Sequence, residues 1–248
     1  MDILYVVGKR LSNWNDNELR YSLRSLAKYG ENIGRVFLVG NIPAFINREQ
    51  VVCLWDYKDP TQSKHHNIMA AIEYAVYNTD IADHFLYSSD DHYYTQPTDF
   101  DNYPAFWRGV ELPTQPGSSW YERTLFQTRE TLDAFALPAR HFAWHGNTHF
   151  CKHLFMQRRF ELIRKIAEIQ PDGCEPSCLM LNYWSQVEPV TMPQVVERKD
   201  NKVGRACSFD DIAEKAQTKE VISSTDAMGE MLKEWLRSEF PNKCKYER

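Results

Sequence analysis

The sequence predicts an α/β fold, a mostly parallel sheet flanked by helices, and three observations carry that prediction. Short apolar runs at 2–8, 36–39, 51–55 and 85–87 are separated by stretches whose apolar residues recur at helical spacing. Strands alternating with helices are joined by crossovers, which set the strands parallel and place helices on both faces. The run at 85–87 stops abruptly at Asp90 and Asp91, and sheets of this kind bind ligands beyond the carboxyl ends of their strands.

The elements follow in order. The first strand, 2–8, ends at Gly8, and Asn15 and Asp16 open a helix carrying Leu19, Leu23 and Leu26 on one face. Strands at 36–39 and 51–55 come next, the latter ending at Asp56. A helix around 66–77 then leads into 85–87. Gly8, Asp56 and the Asp90-Asp91 pair are thereby predicted on one rim. Beyond residue 95, Pro97, Pro104, Pro113 and Pro116 break the pattern into loops. Helices return near 123–135 and at 152–169, where Leu154, Phe155, Phe160, Leu162 and Ile163 supply an apolar face. The polar stretch 198–220 reads as a loop. A last helix takes its N-cap from Ser223, Ser224, Thr225 or Asp226, its stripe from Met228, Met231, Leu232, Trp235 and Leu236, and its stop from Pro241. The reading is one domain over 1–248, regular over 1–104 and less regular and more helical over 105–248.

The 248 residues, 43% hydrophobic, suffice for one large core. A net charge of −5 leaves no electrostatic footprint for nonspecific binding to nucleic acid or anionic membranes. The start of the chain lacks a signal-peptide pattern, and no apolar run reaches the length of a membrane span. The six cysteines are scattered, and the spacing of Cys174 and Cys178 matches neither a zinc ribbon nor a redox motif. A cytoplasmic protein with reduced thiols is expected.

Four groups of residues are candidates for chemistry. Adjacent carboxylates such as Asp90 and Asp91 raise each other's pKa, so the pair suits a place where a cation or a solvated rim offsets the charge. An Asp-Asp turn facing water is the competing reading. Arg20 and Arg24 share a face of the first helix near its N-terminus, where free backbone N–H groups favour anions, and two guanidinium groups there could grip a diphosphate. Against this, charges at helical spacing commonly form surface ion pairs, with Asp16 and Glu18 acting as caps. His145 and His149 are four residues apart, but Gly146 breaks the helix and no glutamate stands as in a zinc-hydrolase motif, which excludes that class. An imidazole near an acid pair suits a third metal ligand or an acid/base group. The cluster Lys64, His65, His66 and Asn67 stands at a helix start, where a solvated cap is the plain alternative. Trp107, Trp120, Tyr121, Trp144 and Trp184 could stack on sugars or nucleobases, although aromatics in such numbers more often belong to a core.

Three segments together resemble a known family: Asp16-Asn17-Glu18-Leu19-Arg20-Tyr21-Ser22-Leu23-Arg24-Ser25-Leu26, Arg35-Val36-Phe37-Leu38-Val39-Gly40, and Phe85-Leu86-Tyr87-Ser88-Ser89-Asp90-Asp91. They are similar to the core of the Stealth family, sugar-1-phosphate transferases of capsule synthesis and lysosomal-enzyme tagging, related in fold to GT-A nucleotide-sugar glycosyltransferases. Fainter similarity continues through Asn147-Thr148-His149, Leu181-Asn182-Tyr183 and Phe240-Pro241-Asn242-Lys243-Cys244-Lys245-Tyr246-Glu247, an ending that resembles small glycosyltransferases of bacteria and phages. The chain departs from the family where Tyr5-Val6-Val7-Gly8-Lys9-Arg10 replaces a Trp-Val-Asp/Asn-Gly motif, where Ser89 replaces an asparagine, and where His149-Phe150-Cys151 replaces His-x-Pro.

The resemblance implies a GT-A-like, Rossmann-type sheet and a metal-dependent glycosyltransferase. It would move a sugar from a nucleotide-diphosphate sugar, expected to be a UDP-sugar, to a hydroxyl on a surface glycan or a modified DNA base. It implies that Asp91, Asp90 and His149 hold Mg²⁺ or Mn²⁺, that Arg20 and Arg24 face the phosphates, and that Gly8, Asp16, Asn17 and Asn67 line the donor pocket. Asp90, Asp91, His149 and Arg20 are the catalytic candidates, and His149, His145 and Asp90 remain alternatives for the base. Sugar-1-phosphate transfer of the Stealth type, or a non-catalytic nucleotide-sugar or glycan-binding module on the same fold, are the rival expectations.

Overall fold

A computed structural model describes residues 1–8, 14–54, 62–138, 147–197, 202–224 and 228–248. Strand β1 (Asp2–Val7) is followed by α1 (Asn17–Tyr29), the short β2 (Gly30–Glu31), β3 (Val36–Gly40), β4 (Val51–Leu54), α2 (Lys64–Asn78) and β5 (His84–Ser88). Next come β6 (His92–Tyr94), β7 (Thr98–Asp99), β8 (Ala105–Trp107), α3 (Trp120–Ala134), β9 (Asn147–Cys151), α4 (Lys152–Met156), α5 (Arg158–Ile169) and α6 (Pro176–Val187). The chain closes with β10 (Val195–Glu197), β11 (Lys202–Val203), α7 (Phe209–Thr218), β12 (Val221–Ser224) and α8 (Glu230–Glu239).

The fold is mixed α/β with a mostly parallel sheet flanked by helices. Its central sheet has the order β4-β3-β1-β5-β9; the first four strands are parallel and β9 is antiparallel to β5. Alternate residues of the apolar runs serve two cores, as expected of strands covered on both faces. Leu4, Phe37, Phe85, Tyr87 and Phe150 pack on one face with α2 and α6, whereas Ile3, Tyr5, Leu38 and Leu86 pack on the other against Leu19, Leu23 and Leu26 of α1. A third core joins α7 and α8 to Trp14, Tyr21 and Tyr93. Smaller sheets pair β11-β12-β6, β10-β8 and β2-β7.

Several expectations for the later chain are corrected. The stretch read as a loop contains α7, which a reciprocal cap between Ser208 and Asp211 starts. Ser223 and Ser224 do not cap the last helix: they lie in β12, and α8 begins after Gly229. Thr225 and Asp226 lie outside the described residues. The helix expected at 152–169 is two, α4 and α5, meeting at the extended Gln157. Helix α6 gave no periodic signal because Pro176 to Trp184 are buried all round. Polar β9 escaped notice for the complementary reason, since Asn147, Thr148 and His149 are buried polar residues in a strand.

Candidate active site at the carboxyl edge of the sheet

Parallel pairing sets Tyr5 of β1 opposite Ser88 of β5. The two strands therefore leave the sheet at the same edge, Gly8 after one and Ser89, Asp90 and Asp91 after the other. The chain is held on both sides of the acids. Behind them, Ser88 Oγ donates to Asn147 Oδ1 at 2.6 Å, and the Tyr5 hydroxyl lies 3.2 Å from Ser22 Oγ of α1. Ahead of them, the Ser224 N–H donates to the Asp91 carbonyl at 3.1 Å, and Ser25 Oγ accepts from the Tyr94 N–H at 2.9 Å. Buried polar links of this kind are strengthened by their low-dielectric surroundings and fix the geometry above them. Among the described residues, the buried Asn147 Nδ2 has no hydrogen-bond partner. Asp56 and His145, predicted at or near this rim, lie outside the described residues.

Two acids at such an edge carry an electrostatic cost. Burial, and then the neighbouring Asp91, push the Asp90 pKa up to about 7; Lys64 draws it down and Glu18 pushes it further up. The N-terminal ends of α1 and α2 thus bring Glu18 and Lys64 within electrostatic reach of Asp90. For both, a helix cap is the competing reading from sequence, and their placement at helix starts beyond parallel strands is the signal that points to the rim. Asp91 is partly exposed, with Oδ1 3.2 Å from Nδ1 of the buried His92.

The remaining predicted residues divide. Asn15 and Asp16 both adopt left-handed backbone conformations, φ 56° and 58°, immediately before α1. Asn and Asp tolerate this region best among non-glycine residues, and successive residues there are strained enough to require support. Asn17 Nδ2 supplies some by donating to the Trp14 carbonyl at 2.6 Å. Arg20 keeps a 30% exposed side chain, with its guanidinium over the Phe45 ring and Nη1 3.6 Å from Glu247 Oε2. Asn67 donates to the Ser63 carbonyl at 3.0 Å within the first turn of α2, where Ser63 and His66 form a capping box.

Two expectations are revised. Arg24 is not presented to a donor: its guanidinium is buried and forked onto Glu247, with Nη1 donating to the Phe240 carbonyl at 2.8 Å. His149 is not placed to ligate beside the acids. It pairs with Leu86, two positions back from Ser88, and in its buried site Nε2–H donates to the Tyr103 carbonyl at 2.7 Å. Burial lowers its pKa to about 4, so the imidazole is neutral.

Asp90 and Asp91 offer hard carboxylate oxygens, a donor type that suits Mg²⁺ or Mn²⁺, and a cation would relieve the repulsion that raises Asp90. Three basic residues that follow β9 already have partners: Lys152 donates to the Thr79 carbonyl, Arg159 to the Phe135 carbonyl, and Arg158 pairs with Glu161. No helix among the described residues is long and apolar enough to cross a membrane. No protein-family model matches the sequence, and no curated protein matches it.

Proposed function

We propose that this protein is a cytoplasmic, metal-dependent glycosyltransferase of GT-A type that moves a sugar from a nucleotide-diphosphate sugar, a UDP-sugar, to a hydroxyl acceptor. The observation that supports it most is the placement of Asp90 and Asp91 just past β5, at the carboxyl edge of the parallel sheet, with Asp90 held far above the usual carboxylate range. Asp91 and Asp90 would hold Mg²⁺ or Mn²⁺ on the donor diphosphate, and the cation would offset charge on the departing nucleotide.

The chain's own residues complete the reading. Arg20, partly exposed on α1, adds positive charge towards the phosphates, and Lys64 adds more from the start of α2. Gly8, lacking a side chain, leaves room for the nucleotide where β1 ends. The left-handed turn at Asn15 and Asp16 sets the entry of α1 beside it. Ser88 and Asn147 brace the strand that ends in the acids. If Asp91 carries the cation and Asp90 stays free of it, Asp90 is the described candidate for accepting the acceptor's proton, because a raised pKa makes a carboxylate a better base near neutrality. Phosphosugar transfer, with attack at phosphorus, would ask more of the arginines, and the locking of Arg24 onto Glu247 weighs against it. The acidic balance and the occupied basic residues favour a glycan acceptor over DNA.

Calorimetry of the full chain with a panel of UDP-sugars, with and without Mn²⁺, tests the reading when repeated on Asp91→Ala. Mn²⁺-dependent binding that the variant loses, with nucleoside diphosphate released on turnover, is expected. Release of nucleoside monophosphate would replace glycosyl by sugar-phosphate transfer, and absence of nucleotide-sugar binding under all conditions would overturn the proposal.

A further inference from the structure

At the opposite edge of the sheet a second group of side chains converges. Antiparallel pairing sets His84, the first residue of β5, directly across from Cys151, the last of β9. Asp83 precedes one and His153 follows the other by two residues. Ligand atoms of Asp83, His84, Cys151 and His153 all lie within 4.8 Å of one another. Four strand steps separate His84 from Ser88, so the group stands roughly 13 Å or more from the Asp90-Asp91 rim.

We propose that Asp83, His84, Cys151 and His153 form a structural zinc site. A tetrahedral zinc with bonds of about 2.0–2.3 Å needs donor atoms roughly 3.3–3.6 Å apart. Cys151 Sγ lies 3.0 Å from His153 Nδ1 and 3.8 Å from Asp83 Oδ2, and His84 Nε2 lies 3.8 Å from the same oxygen. The 2.6 Å contact between His153 Nδ1 and Asp83 Oδ2 has to open by less than about 1 Å and the 3.0 Å contact of Cys151 Sγ with the same nitrogen by about 0.5 Å, while the longer separations, none above 4.8 Å, have to close. One thiol, two imidazoles and one carboxylate form a mixed set that suits zinc better than the oxygen-seeking Mg²⁺.

The surroundings orient these donors as a zinc shell does. The His153 N–H donates to Asp83 Oδ1 at 2.8 Å, which turns Oδ2 towards the cluster. On the far side of the His153 ring, Nε2 sits 3.1 Å from both oxygens of Glu188, the residue that ends α6. A histidine that ligates through one nitrogen while the other donates to a carboxylate is the usual arrangement at zinc, because the carboxylate fixes the tautomer and raises ligand basicity. The His84 ring stacks edgewise on Trp184, with centroids 5.1 Å apart. Neither Asp83 nor Glu188 pairs with a lysine or arginine among the described residues. Four protein ligands leave no open position, so the ion would pin β5, β9 and α4 together, with α6 held through Glu188.

The test uses the full chain, stripped with a chelator and reloaded with zinc or with Co²⁺ as a spectroscopic probe. One zinc per chain is expected, together with a thiolate-to-cobalt charge-transfer band and a thermal midpoint that rises with free zinc. Cys151→Ser should abolish the band, and His153→Gln and His84→Gln, both at exposed positions, should abolish stoichiometric binding while leaving the far-UV circular dichroism unchanged. Glu188→Gln should keep the stoichiometry and weaken affinity by about 10–100-fold. Asp91→Ala should leave zinc content unaltered, which separates this site from the proposed donor site. A wild-type cobalt complex without the thiolate band, or zinc content that survives His153→Gln, would overturn the proposal.

Discussion

Glu247 grips Arg24 from the far end of the chain, taking Nε on Oε1 at 2.6 Å and Nη2 on Oε2 at 3.0 Å. Both side chains are buried, and the bond to Glu247 is the main reason the Arg24 pKa is raised. The last residues also hold the loop after β3: the Asn47 N–H donates to the Tyr246 carbonyl and the Arg248 N–H to that of Phe45. Since Phe45 lies under the Arg20 guanidinium, the terminal segment positions the helix that faces the candidate donor site.

Removing one partner of this fork leaves a buried charge without compensation. Glu247→Ala should therefore destabilise the fold by about 3–5 kcal/mol, measured by urea unfolding. The double replacement Arg24→Met with Glu247→Leu should recover most of that loss, because it removes the desolvation cost of both charges. If Arg24 served the donor phosphates instead, Arg24→Met would leave stability nearly intact and weaken nucleotide-sugar binding.

Asp90 gives a pH signature in the metal-free protein. Its folded pKa is raised to about 7, above the ordinary aspartate range, so the folded state holds a proton that the unfolded state has released. Its contribution is fully present below about pH 4 and is lost as pH rises through about 7. Urea unfolding in chelator at about pH 5 and about pH 8 should show a decline in the wild type that Asp90→Asn lacks. Cation binding displaces the same proton, so Mn²⁺ affinity should climb across that interval.

His149 has the opposite sign. Burial lowers its folded pKa to about 4, so its contribution is present above the unfolded value near 6.5 and is lost as pH falls towards 4. His149→Gln should flatten the acid side of the stability profile without changing Mn²⁺ affinity. A loss of Mn²⁺ affinity in that variant would restore His149 as a ligand. Because the Asp90 and His149 slopes oppose each other between about pH 4 and 6.5, only the differences between variants and wild type isolate each group.

The contrast between these two residues shows how far sequence reasoning reaches. An apolar run interrupted by two acids is legible because its chemistry changes at one point, and strand order then places Asp90 and Asp91 at the carboxyl edge of the parallel strands. The same reasoning reaches α1 through Leu19, Leu23 and Leu26, whose spacing matches the face they bury. No strand is predicted around His149, because Asn147, Thr148 and His149 carry no strand pattern; antiparallel pairing with β5 reveals them as interior residues. Long-range partners are invisible for the same reason. Nothing local to Arg24 announces Glu247, and the convergence of Asp83 and His84 with Cys151 and His153 arises from the register of β5 and β9.

Lys64 offers a test that depends on electrostatics alone. It stands at the first position of α2, and its charge is the largest influence holding the Asp90 pKa down against burial and Asp91. Lys64→Met should move the pH at which the metal-free protein binds Mn²⁺ upward, because the proton on Asp90 is then harder to displace. Lys64→Arg should restore the wild-type profile, since the charge is kept. High salt should narrow the gap between wild type and Lys64→Met, as expected for an interaction at a solvent-facing rim. Calorimetric titration of Mn²⁺ across a pH series reads all three, and a Lys64→Met profile that coincides with the wild type would mean that Lys64 does not act on Asp90.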